Sequence, residues 1–89
     1  MVNKTTEQRT GKTIEDAIII IATGTEVGVE AEYEFISKIL GPEGETWEFF
    51  EQSLLFNSEH KPYDQIKVEM LDGSVRNFYF DISSFFGFI

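Results

Sequence analysis

Cysteine is absent from this chain. That excludes disulfide stapling, thiolate nucleophiles and thiolate metal sites. Histidine occurs once, at His60, and proline twice, at Pro42 and Pro62. The longest apolar run, Ala17–Ala22, is six residues, against the ~20 that a membrane-spanning helix needs. Residues Met1–Arg9 lack the apolar stretch of a signal peptide. No glycine-rich phosphate loop is present: Thr10-Gly11-Lys12-Thr13 contains Gly-Lys-Thr without the earlier glycine of the motif. These absences predict a soluble, cytoplasmic chain without a cofactor or membrane contact.

Basic residues are also scarce, seven against sixteen acids, for a net charge of −9. The imbalance sits in the middle of the sequence. Residues 13–59 carry eleven acids against Lys38 alone, whereas residues 1–12 are net positive. Binding to a phosphate backbone rests on Lys and Arg contacts, so direct nucleic-acid binding is not expected. An acidic stretch suits a basic protein partner through steering and complementarity; it also serves simply as a solvated face.

What the sequence has in quantity is aromatic residues: nine Phe, three Tyr and one Trp among 89 residues. A chain this short forms one domain, and aromatics supply much of the area that a small core needs. Residues 1–12 are polar and aperiodic and read as a flexible tail, with a single α+β domain over 13–89. The run Ala17–Ala22 fits either a buried strand, from its four isoleucines, or a helix, from Glu15 and Asp16 ahead of it. A short helix over Ile14–Thr23, ended by Gly24, is the favoured reading. Thr25–Leu40 is a helix with a polar stripe of Glu26, Glu30, Glu34 and Lys38. Glu32 interrupts its apolar arc, where it pairs with a cation, is held protonated or sits at a gap in the packing; pairing with Arg76 or exposure at an edge is the favoured reading.

Thr46–Phe56 fits a helical face or a strand; a strand over Glu48–Phe56 is favoured because a two-stranded hairpin alone is marginal. Two alternating runs follow, Tyr63–Leu71 and Ser74–Ile82. Their apolar positions, Ile66, Val68, Met70, Phe78, Phe80 and Ile82, are all even-numbered. One core face then requires cross-strand pairs with even sums. A two-residue Asp72-Gly73 turn gives odd sums. A three-residue loop, Leu71-Asp72-Gly73, with left-handed Gly73, pairs Met70 with Ser74 and keeps one face. The expected fold is thus one or two N-terminal helices packed on a three-stranded antiparallel β-meander.

No catalytic or metal-binding constellation stands out. His60 reads as a solvated turn residue, and Glu26, Glu30 and Glu34 as a charged face rather than a metal site. The tail Phe85-Phe86-Gly87-Phe88-Ile89 either folds back over the core or forms an exposed apolar patch. The leading functional expectation is a non-enzymatic interaction module of inhibitor, immunity or accessory type. Its candidate surface is Glu26, Glu30, Glu34, Glu48, Glu51, Phe85, Phe86 and Phe88. A homo-oligomer, such as a homodimer, joined through the tail or a sheet edge is the second reading. A small enzyme or ligand-binding domain using Glu32, His60, Asp64 or Asp81 is the third.

Overall fold

The computed structural model describes residues 9–87. The order of elements is β1 (Ile18–Ile19), α1 (Thr25–Leu40), β2 (Trp47–Phe56), β3 (Pro62–Met70) and β4 (Val75–Asp81). The strands form one mixed sheet in the order β1-β4-β3-β2. Strands β2, β3 and β4 make the expected antiparallel meander, and β1 adds a fourth strand parallel to β4.

The anticipated helix over Ile14–Thr23 does not form. Thr13 instead caps a turn, its hydroxyl and carbonyl both accepting from the Asp16 amide. The isoleucine run then pairs Ile18 with Phe80 and Ile19 with Asp81. β-Branched residues fit a pleated, half-buried surface better than a helix. Ile18 and Ile20 are buried while Ile21 is exposed. The Ser84 hydroxyl prolongs this edge, donating to the Ile20 carbonyl and accepting from the Ala22 amide.

The tail assigned to residues 1–12 is docked from Arg9 onward; residues 1–8 lie outside the described residues. The Tyr79 amide donates to the Gly11 carbonyl at 2.7 Å, and the Gly11 amide donates to the Asp16 carbonyl.

Helix α1 has the expected bounds, with Glu26 in its first turn and Lys38 in its last. Its buried line is Gly28, Glu32 and Ile36. Gly28 serves close packing: a Cβ there would lie 2.5 Å from the Phe85 ring. Phe35 packs edge-on against Phe78 and Phe80. The hairpin register is the even-sum one, running from Tyr63–Asp81 to Glu69–Val75. Met70 and Ser74 close it through a 2.8 Å bond, and Gly73 takes φ +87°. Ile66, Val68, Phe78, Phe80, Ile82, Trp47 and Phe85 join Ile18, Ile20 and Ile36 in one core. Among the described residues, no helix is long and apolar enough to cross a membrane.

Candidate functional site

Strand β2 is an edge strand ten residues long. Its partner β3 occupies one side; among the described residues no strand lies on the other. The register slips between Phe49 and Glu51, a bulge that leaves Phe50 unpaired with β3. Phe50, Leu54 and Phe56 are 56%, 48% and 51% exposed. Leu54 sits opposite Asp64 and Phe56 opposite Pro62, so both share the face on which the core is built. The ring contacts of the helix with this strand fall at Trp47 and Phe49, through Tyr33. Phe56 instead meets Phe86 edge-on at 5.6 Å.

Acids flank the open edge. Glu26, Glu30 and Glu34 are exposed on α1. Glu30 and Glu34, with Val29, Tyr33 and Ser37, line a shallow depression of about 400 Å³. Tyr33 ties this helix face to β2, its ring lying 6.4 Å from Trp47 and 6.3 Å from Phe49. Burial, then the carboxylates of Glu43, Glu32 and Asp64, push the Tyr33 phenol upward, so it stays a proton donor. On the other face of β2, Glu48 lies directly opposite Glu69. Glu45, Glu48 and Glu69 rim a second depression of about 300 Å³. Glu51 is opposite Lys67. Like charges placed across a strand pair are destabilising unless a cation joins them.

The tail residues divide. Phe86 is exposed; Phe85 is 1% exposed and belongs to the core rather than to any surface. The reason is the groove that Gly28 leaves in the helix. Phe88 lies outside the described residues.

Of the side chains considered for chemistry, Glu32 and Asp64 lie together in the interior, while Asp81 is engaged elsewhere and His60 is exposed. Glu32 is fully buried and Asp64 nearly so. Burial, reinforced by the neighbouring Asp64 carboxyl, pushes Glu32 up to about 10. Among the described residues no N–H or hydroxyl donor reaches either Glu32 oxygen; its polar neighbour is the Asp64 carboxyl, with which protonated Glu32 can share a hydrogen bond. The pairing of Glu32 with Arg76 is therefore not made; Arg76 is exposed near the start of β4. A protonated acid against a second carboxyl explains how the helix tolerates Glu32 without a cation. Asp81 accepts from the amide and hydroxyl of Ser83 and from Lys61 Nζ at 2.9 Å. Burial opposes ionisation there, but these donors outweigh it and hold Asp81 low. His60 is exposed in the β2–β3 turn at φ +64°, apart from the buried Asp64. Among the described residues, no group of three or more His, Asp or Glu side chains is arranged to hold a metal.

The sequence places Glu48 and Glu51 on β2 and gives Phe50, Leu54 and Phe56 as apolar positions of that strand, without showing that they are exposed. The available signal was topological: β2 opens the meander, so it is an edge unless a later strand covers it. Comparison with known proteins returns no matching family model, no matching curated protein and no matching solved structure.

Proposed function

We propose that this protein is a non-enzymatic interaction module that takes an extended, basic segment of a partner protein along β2. The observation that carries the reading is the long edge strand, open beyond the Glu43–Trp47 bridge at its start, with exposed Phe50, Leu54 and Phe56. An exposed, apolar edge strand is a template for strand addition. Backbone bonds supply affinity, and side chains on alternate positions supply selectivity. The acids on both sides, Glu30 and Glu34 on the helix and Glu45, Glu48 and Glu69 beyond the sheet, favour lysine or arginine on the incoming strand.

The reading is tested with a synthetic alternating lysine–valine peptide and the intact protein, by calorimetry and amide chemical shifts. Binding is expected to shift β2 amides and to weaken as salt rises. Leu54→Lys should abolish it, and the pair Glu48→Gln, Glu51→Gln should weaken it about tenfold. Equal binding of a glutamate–valine peptide would overturn the reading.

A second copy of the chain is the other occupant that the same apolar edge favours. It would bring together two acidic surfaces, each on a chain of net charge −9, which is why a basic partner ranks first. Light scattering separates the two: a dimer that becomes monomeric in Leu54→Lys supports self-pairing.

A further inference from the structure

A larger hollow than the two beside β2 lies at the other margin of the sheet. Strand β1 is two residues long and pairs only with Phe80 and Asp81. The Gly11 carbonyl takes the Tyr79 amide. The edge of β4 from Val75 to Phe78 is left without a neighbouring strand among the described residues. The segment from Arg9 to Lys12 and the C-terminal turn of α1 border this gap, an open hollow of about 710 Å³.

The chemistry of its lining is unlike the rest of the surface. Arg9, Lys12 and Arg76 contribute three of the seven bases in the chain, while Ile39 and Phe78 give it an apolar wall. No acid lines it. Ile39 is 56% exposed although it sits on a helix beside the core. One guanidinium nitrogen of Arg9 donates to the carbonyls of Glu15 and Ala17 at 3.3 Å each, which fixes the side chain. Its Nε is buried without a hydrogen-bond partner. Two carboxylates of the neighbouring turns are engaged, Asp16 accepting from the amide and hydroxyl of Thr10 and Asp72 from the amide and hydroxyl of Ser74; Arg9 also borders a neighbouring hollow that Glu15 and Asp81 line.

Three cations concentrated on one apolar cavity, in a chain of net charge −9, are not a solubility device. Like charges brought together raise the energy of the free protein, and an anion relieves it. A hydrated inorganic anion would leave Ile39 and Phe78 unused. We propose that this cavity binds a small amphipathic anion, a carboxylate or phosphate carried on an aliphatic or aromatic body. The charged head lies among Arg9, Lys12 and Arg76, and the body lies on Ile39 and Phe78. The site is separate from β2 and does not depend on the strand-addition reading.

The test uses the full chain and amide chemical shifts, with octanoate as probe and octanol and inorganic phosphate as controls. Octanoate is expected to saturate below about 1 mM and to shift Thr10, Ile39, Asn77 and Phe78. Octanol and phosphate, each lacking half the recognition, should bind at least about tenfold more weakly. Lys12 and Arg76 are exposed, so Lys12→Gln with Arg76→Gln should keep the fold and lose about tenfold in octanoate affinity. Ile39→Ser should weaken octanoate while leaving phosphate unchanged. Equal binding of octanol, equal binding by the double variant, shifts confined to β2, or no binding at 10 mM would each overturn the proposal.

Discussion

Gly28 and Glu32 lie one turn apart on the buried line of α1, and both look wrong for a helix interior. Glycine there costs about 1 kcal/mol in propensity relative to alanine, yet the Phe85 ring occupies the space that a methyl group would need. Gly28→Ala is expected to destabilise the fold by about 2 kcal/mol, the overpacking outweighing the propensity gain. Adding Phe85→Leu should recover part of that loss, a coupling that a double-mutant cycle in urea would read. Additive effects would mean that the ring and the glycine do not meet. Glu32 keeps its proton when folded, being pushed from 4.5 up to about 10. Above pH 4.5 the unfolded chain releases that proton and the folded chain does not, so this group makes stability fall as pH rises. At pH 8 the loss is on the order of several kcal/mol. Glu32→Gln should therefore be more stable than the parent at pH 8, and the gap should shrink toward pH 5. Asp81 has the opposite slope, but its stability is lost only as pH falls below its ordinary value of 3.8. A gap that stays constant from pH 5 to pH 8 would mean that Glu32 is ionised in the fold.

Among the elements, the β3–β4 hairpin was legible to the level of its loop. Side-chain parity and turn chemistry demand the same answer there, and Gly73 supplies the left-handed residue that it requires. Gly73→Ala should cost about 1 kcal/mol by urea denaturation, with no change in cross-strand contacts. The helix was equally legible, because its polar stripe and flanking glycines agree. The segment before it was not. Glu15 and Asp16 suggested a helix N-terminus, but Asp16 turns back to hold Thr10. The isoleucines that follow find a partner 62 residues later, at Phe80 and Asp81, and no local pattern announces a parallel pairing at that distance. Burial of Glu32 was visible as a break in the apolar arc, but its neighbour was not. Asp64 becomes its neighbour only through the tertiary packing of β3 against the helix, and Arg76 remains exposed. The exposure of β2 likewise depends on where the helix crosses the sheet, which sequence periodicity does not contain.

For the whole molecule, charge is segregated rather than uniform. Acids border β2 from both faces, while Arg9, Lys12 and Arg76 meet at the opposite margin of the sheet. The field that steers a basic partner toward β2 is screened within about 8 Å at physiological ionic strength. Association rates with a lysine-rich peptide should therefore fall several-fold between 20 and 300 mM salt, while dissociation changes less. Stopped-flow fluorescence from Trp47, which lies beside Tyr33 at this margin, gives the measurement. Dissociation rates that carry the whole salt effect would place the recognition in short-range contacts instead.

The parallel pairing of β1 with β4 also bears on how the chain comes to be folded. The isoleucines at 18–21 are synthesised well before the backbone at Phe80 and Asp81 with which Ile18 and Ile19 pair. Until β4 is complete, a β-branched run of low charge has no native partner, the kind of segment from which aggregates nucleate. A chain stopped at residue 74 should accumulate as insoluble material, and Ile19→Lys with Ile21→Lys should restore its solubility without restoring the fold.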